Sequence, residues 1–287
     1  MVSPLVPTFG EQGRLSSSAA TELKLKVGIP VSYRAGDQPN NAFSLNVSQP
    51  GEVAATAGTS GVVYGIIDKP KYDPKSRVNT FVHVNHTKKN PRYGVLLCVN
   101  GTGILNSWLR KNFFGDSSYE QINKEASMAP AGSDELLIYP FGNGAERVLE
   151  NKDLGAVMKV VQFNRHNRGH IARAAQEGIV FALQYGVEVM KEMGMEIKTV
   201  RAGHANMFLS DVFSSVFVNT LGCDLELYNT DGATGAARGA GIGAGVYKNA
   251  SEAYSSMEKI KSYTPVKEEQ EVYSSVYNKW KKQLKKL

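Results

Sequence analysis

RAGDQPNNAFSLNVSQPGEVAATAGTSG, residues 34–61, is the stretch on which the reading of this chain turns. At its end, Gly58-Thr59-Ser60-Gly61 separates two apolar runs, EVAATA and VVYGII. Those runs predict the two strands of a β-hairpin, with GTSG as its tight turn. Glycine lets backbone N–H groups approach a ligand closely, and hydroxyls add donors, so such a turn suits phosphate oxygens. Upstream, Gly36-Asp37-Gln38 supplies a carboxylate that would take a proton from a hydroxyl attacking that phosphate. The plainer reading is a capping Asp and an ordinary hairpin loop. The residues alone allow both.

Composition narrows the setting. A chain of 287 residues buries one large core or two modest ones, and 42% hydrophobic with 21% charged residues is ordinary for a globular protein. No apolar run approaches about eighteen residues, so no membrane span is expected. MVSPLVPTFGEQG lacks the basic and apolar regions of a signal peptide. Cys98 and Cys223 lie far apart in strand-like runs and read as buried, reduced thiols, which favours the cytoplasm. No Cys/His cluster has zinc spacing, and no metal ligand is assigned. The net charge of +6 comes from NKWKKQLKKL at the end; the rest carries only +1. That is the charge of a solvated amphipathic helix, not of a nucleic-acid groove, so no nucleic-acid partner is expected.

Along the chain, residues 1–30 predict an extended stretch and a short capped helix at SSSAATELKL. Strands follow at EVAATA, VVYGII, NTFVHVNH and YGVLLCV, with His83 and His86 expected in loops or at the surface. Asn100-Gly101-Thr102-Gly103 opens a helix, ILNSWLRKNF, whose N–H groups and positive dipole end suit an anion or a nucleotide. A second helix, YEQINKEASM, and a strand, LLIYP, come next; Glu146-Arg147 reads either as a cleft brace or as a surface ion pair. HIARAAQEGIVFALQYGVEVMKEM carries an apolar stripe at 171, 174, 175, 179, 182 and 183 and is expected to be a core helix. IKTVRAG then HANMFLSDVFSSVFVNTLG predicts strand, turn and helix, and CDLELYN another strand. The alternating glycines of DGATGAARGAGIGAGVY lie inside a helix pattern, so they predict close helix packing, not a dinucleotide fingerprint. Residues 251–287 are expected to be helical and peripheral.

The order G-D-[N/Q], then G-T-S-G, resembles the start of the C-terminal half of the FGGY carbohydrate kinases, most strongly the members that phosphorylate the pentulose D-xylulose. H-I-A-R-A…E-G at 170–178 resembles that family's second signature, although VVQFNRHNRG stands where the family has an F-x-G-L turn. Three glycines commonly precede the family's Asp, where this chain has Arg34-Ala35-Gly36. The resemblance implies an α/β, actin-like or ribonuclease-H-like ATPase domain. Asp37 would be the catalytic base. Gly58, Thr59 and Ser60 would hold the ATP phosphates, and Gly103, Ser107, Gly203 and Asn206 would contact the nucleotide, with Trp108 as a packing anchor. Ala202 replaces the first glycine of the family's Gly-Gly-x-x-x-N, in a turn one residue shorter. ATP and Mg²⁺ are the implied cofactors, and a small sugar the substrate. Residues 1–50 would be the tail of a missing N-terminal kinase domain, and 51–287 the nucleotide-binding domain. A glycerol, gluconate or other ketose kinase, a non-catalytic actin-like module, and a homodimer are left open.

Overall fold

The computed structural model describes residues 5–287, so the first four residues of the expected 1–50 segment lie outside the described residues. An antiparallel ribbon of β1 (Phe9–Arg14) and β2 (Pro30–Tyr33) encloses α1 (Ser17–Leu23), which Ser16 caps by accepting the Ala19 N–H. Helix α2 (Asp37–Ser44) follows, with Asp37 in its first turn and Ala42 and Phe43 buried. The sheet then begins with β3 (Val53–Ala57), β4 (Gly61–Ile67), β5 (Asn79–Val82) and β6 (Tyr93–Val99). Two helices come next, α3 (Gly103–Phe113) and α4 (Tyr119–Met128), then the antiparallel pair β7 (Leu137–Phe141) and β8 (Gly155–Lys159). The remainder is α5 (Arg168–Glu192), β9 (Thr199–Gly203), α6 (Asp211–Leu221), β10 (Asp224–Tyr228), α7 (Gly232–Gly243), α8 (Ala250–Ala253), β11 (Lys259–Tyr263) and α9 (Lys267–Leu284).

Seven strands form one sheet in the order β11-β10-β9-β3-β4-β6-β5. Period-two alternation along β3 and β4 divides their side chains between two cores. Val53, Ala55, Ala57 and Val63 enter the larger one with Leu97, Val99 and the buried side of α5; Ala54, Val62, Tyr64 and Ile66 meet Ala42, Leu45 and Val47 on the opposite face. Of the expected stripe on α5, Ala174, Ala175, Ile179, Ala182 and Leu183 are buried and Ile171 is partly buried. The small residues of α7 let it lie close to its neighbours: a Cβ at Gly239 would fall 2.7 Å from the Tyr33 ring.

Pairing decides which ends meet. β9 runs parallel to β3, with Ala202 beside Ala55, and β10 runs parallel to β9, with Tyr228 beside Gly203. β6 is antiparallel to β4, which sets Val99 opposite Gly61. The carboxyl ends of β3, β6, β9 and β10 therefore converge on one edge of the sheet. In open α/β sheets ligands bind outside such ends.

Several expectations fail here, each for a tertiary reason. Residues 251–287 are neither all helical nor peripheral. Lys259–Tyr263 adds an antiparallel edge strand to β10, with two lysines that keep that edge soluble. In α9, Trp280 is fully buried, donates its indole N–H to the Ile138 carbonyl at 2.9 Å and stacks on Tyr139. Lys267, Lys279 and Lys282 of α9 stay exposed, as expected, whereas Lys281 is partly buried against Glu188 of α5. His83 is buried, not at the surface, 3.1 Å from the Tyr64 hydroxyl, and burial pushes its pKa down to about 4. Cys98 is only partly buried, whereas Cys223 is fully so. Trp108 is half-exposed and leans on Phe113, so it anchors no core. The helix expected from His204 onward is broken: a 3₁₀ turn spans Asn206–Leu209, and α6 restarts at Asp211 because Ser210 caps it by accepting the Phe213 N–H.

Candidate functional site

Two adjoining cavities open along the convergent strand ends, and they share Ala57, Gly58, Thr59 and Asn206 as a common wall. The smaller, about 390 Å³, holds Asp37 and Gln38 from α2, the whole Gly58–Ser60 turn, Gly203 at the end of β9, and Asp231 and Gly232 at the start of α7. The larger, about 900 Å³, is lined by Gly103 and Ser107 of α3, by α4, and by the Asn206–Val212 segment. Every residue singled out at 37, 58–60, 103, 107, 203 and 206 thus lines one of the two cavities.

Asp37 is exposed at the first position of α2. Its Oδ1 accepts the Gln38 N–H at 2.8 Å and its Oδ2 the Gln38 side-chain amide at 3.2 Å. Those bonds orient the carboxylate, and among the described residues no basic side chain neutralises it. The far end of α2 is held by Arg238, buried in α7, which donates to the Ser44 carbonyl and to the Thr230 hydroxyl. The acid therefore sits on a helix clamped from below, with only its reactive end open.

The turn owes its shape to α3. The Gly103 N–H donates to the Gly58 carbonyl at 2.9 Å, and the Ile104 N–H to the Thr59 carbonyl at 3.3 Å. The first N–H groups of α3 are therefore spent on the turn, and the free anion-binding helix end expected from the sequence is not there. Gly103 works through close approach instead, because a Cβ at that position would overlap the Gly58 carbonyl oxygen. On the β9 side, Gly203 is needed for the same reason, since its Cβ would lie 2.7 Å from the Thr230 oxygen. Asn206 holds a left-handed φ of 54°, which brings its side-chain amide against Gly58.

Glu146 is no surface ion pair. Fully buried, it accepts the Asn100 N–H through both oxygens, at 3.0 and 3.1 Å, and so ties the end of β6 to the loop after β7. Burial pushes its pKa up to about 7 against the pull of the Asn100 and Gly101 N–H groups. Arg147 points elsewhere, to the Ser76 carbonyl.

The signature residues His170, Arg173 and Glu177 line neither cavity. His170 closes a capping box with Asn167 and reaches Asp134 at 3.2 Å. Arg173 donates to Glu177 at 3.0 Å, to the Ala129 carbonyl and to the Tyr273 hydroxyl. Glu177 also accepts the Gly132 N–H and the Ser133 hydroxyl. The cluster is a rivet joining α5, the 129–134 loop and α9. Two parts of the cavities went unread in the sequence. Asp231 looks there like an N-cap, which it is, accepting the Thr234 N–H at 2.8 Å. The polar face of α4, with Glu120, Asn123, Lys124 and Ser127 at helical spacing, looks like ordinary solvated surface.

The described residues hold no group of three His, Cys, Asp or Glu side chains arranged for a metal ion, and no helix long and apolar enough to cross a membrane.

Comparison with known proteins matches residues 53–246 to the C-terminal domain of the FGGY family of carbohydrate kinases. The xylulose kinase of Bacillus subtilis (strain 168) is 27% identical over 285 residues, covering 97% of this chain and 55% of that protein. The gluconokinase of the same organism is 30% identical over 255 residues, covering 80% and 48%. Among solved structures, xylulose kinase from Rhodospirillum rubrum aligns over all of this chain and 57% of its own, with a TM-score of 0.84 and 25% identity. Plasmodium falciparum glycerol kinase with ADP shares the fold, with a TM-score of 0.79 at 20% identity over 96% of this chain and 55% of that one. The chain spans about half the length of the relatives it matches. Its fold is the ribonuclease-H-like, actin-like ATPase fold of those kinases. The chain belongs to the FGGY family of carbohydrate kinases.

Proposed function

We propose that this chain is the nucleotide-binding portion of an ATP-dependent sugar kinase, with Asp37 as the base and the Gly58–Ser60 turn as the phosphate grip. One observation carries the reading: the carboxylate and the turn open onto the same cavity, whose wall continues into a larger one of nucleotide size. ATP would lie with its base in the larger cavity and its terminal phosphate at the shared wall. A sugar hydroxyl entering beside Asp37 would attack the γ-phosphorus. As the new O–P bond forms, the bond to the ADP oxygen breaks and the hydroxyl proton passes to the Asp37 carboxylate. Alignment of the reactants and charge stabilisation by the turn would supply most of the acceleration.

Magnesium neutralises phosphate charge in such transfers and keeps most of its coordination to phosphate and water. Asp231, an acidic side chain lining the smaller cavity, fits an ion held mainly by the triphosphate. Hydrogen bonds from the Thr234 N–H and hydroxyl hold Asp231 below the usual carboxylate range, so it stays charged.

Residues 51–287 would then be the ATP half, and residues 1–50 the end of a sugar-binding half supplied by the rest of a longer protein. Xylulose, a pentulose, is the favoured acceptor because the match to a xylulose kinase runs along 97% of the chain. Gluconate is the second reading, from the gluconokinase match at 30% identity. The test is calorimetric titration of the chain with ADP, followed by ADP release from ATP with D-xylulose, gluconate or glycerol once the N-terminal half that relatives carry is supplied. Binding of ADP with release stimulated by one sugar supports the proposal. ADP binding with no sugar stimulation would leave a nucleotide-binding module and remove the kinase assignment.

A further inference from the structure

The wall of the larger cavity holds a side-chain amide whose orientation is set from behind. Asn123, on α4, lines that cavity beside Lys124 and faces the Asn206–Val212 segment. Its Oδ1 accepts the side-chain amide of Gln176 at 3.1 Å. Gln176, on α5, is almost fully buried, and its own Oε1 accepts the Ser210 hydroxyl at 2.8 Å. Ser210 completes this chain of bonds: as the cap of α6 its oxygen accepts the Phe213 N–H, and its own proton goes to Gln176 Oε1. That choice makes the Gln176 NH₂ the donor to Asn123 Oδ1. The Asn123 NH₂ is then left over, and among the described residues no protein acceptor takes it.

An amide nitrogen held this way can only donate, because rotating it would set two NH₂ groups against each other. The cavity wall around it suits a flat heterocycle. Ile104 and Leu209 are apolar yet 38% and 57% exposed, and both line this space with Met207 and Val212. Asn123 lines only the larger cavity and not the smaller one that holds Asp37, so the group it would meet is the base.

We infer that Asn123 reads the base of the bound nucleotide as a fixed hydrogen-bond donor to an acceptor atom on the purine edge, and that Gln176, through Ser210, is the positioning residue that fixes its polarity. The inference rests on the nucleotide site proposed above. It assigns a specificity role to α4 and explains a buried glutamine on the core side of α5.

The test uses the whole chain, with ADP and inorganic tripolyphosphate titrated separately by calorimetry. Tripolyphosphate has the phosphates without the base. Asn123→Asp keeps the shape and the bond to Gln176 only as an acceptor, and removes the donor facing the cavity. It is expected to weaken ADP about tenfold, the worth of one hydrogen bond in a desolvated pocket, and to leave tripolyphosphate unchanged. Gln176→Leu frees the amide to rotate without removing it. It is expected to weaken ADP about threefold, again sparing tripolyphosphate, because freeing an oriented donor costs less than deleting it. Thermal unfolding of both variants checks that they are folded. An ADP affinity within twofold of the parent in Asn123→Asp overturns the inference, as does an equal loss for ADP and tripolyphosphate. If the parent chain binds tripolyphosphate but not ADP, no base site exists and the inference falls while the phosphate grip stands. If it binds neither, the nucleotide site itself is refuted.

Discussion

Two polar clusters carry the family resemblance, and the structure treats them in opposite ways. At the sheet edge, Asp37 is exposed and bonded only to its neighbour Gln38, and the Gly58–Ser60 turn uses its carbonyls on α3 while its outer face opens onto both cavities. On α5, Glu177 is buried and Arg173 half-buried, and their donors and acceptors reach the 129–133 loop, each other and Tyr273. Capacity left over for a ligand separates the two clusters better than residue type does. A saturated polar cluster stabilises, whereas an unsaturated one beside a cavity is free to bind.

The sharpest way to break that contrast is Asp37→Asn. With the N-terminal half supplied, turnover should fall by about 10³-fold, the usual scale for loss of a general base. ADP affinity and the unfolding midpoint should not change, because the side chain is exposed and supports nothing else. Steady-state kinetics with calorimetry and a thermal melt check this, and residual activity above a tenth would remove Asp37 from the base role.

Glu177→Ala should show the reverse pattern. Removing one partner of a buried pair costs about 3–5 kcal/mol, so the midpoint should drop by roughly 10 °C. ADP affinity measured well below the melt should stay within twofold. A melt unchanged by this substitution would mean that the rivet is not structural.

Glu146, buried against the end of β6, makes stability depend on pH. Burial lifts its folded pKa to about 7, above the ordinary glutamate value of 4.5. Below about pH 4.5 the carboxyl is protonated in both states and contributes no penalty. Between 4.5 and 7 the unfolded state loses its proton first, so stability declines as pH rises. Above 7 the penalty is complete, at up to about 3 kcal/mol. Urea unfolding from pH 4.5 to 8 should show this decline in the parent and a flatter profile in Glu146→Gln.

Gly103→Ala gives the smallest effect and the finest test of the turn. The added methyl must push the Gly58 carbonyl away, at a cost of about 1–3 kcal/mol for an overpacked site. Because the displaced group is the phosphate grip itself, tripolyphosphate affinity should fall several-fold more than the melt alone would suggest. An unchanged affinity would show that the turn position does not matter.

Much of this was legible in the sequence because it rests on local rules. The hairpin at 53–67 follows from two apolar runs around a glycine-bounded turn, and α4 from its Ser118 cap and Gln121, which complete a capping box. The apolar stripe of α5 marked it as a core helix. The failures involve partners distant in sequence. KIKSY is short and polar, and becomes β11 because β10 offers an open edge. Trp280 reads as the apolar side of a basic tail, yet it seals the core through Ile138 and Tyr139. The N–H groups of α3 look free until Gly58 and Thr59 take them.

By itself, the amino-acid order determined the secondary structure around the site and the kinds of groups the site would contain, since caps, turns and periodicity act over a few residues. Tertiary structure alone decided which of those groups keep unspent hydrogen-bonding capacity, because that depends on what the folded chain brings against them. The parallel register of β3 with β9 drew residues 58 and 206 together across the edge of the sheet. Packing of α5 against its neighbours consumed Arg173 and Glu177, and the clamp on α2 left Asp37 open.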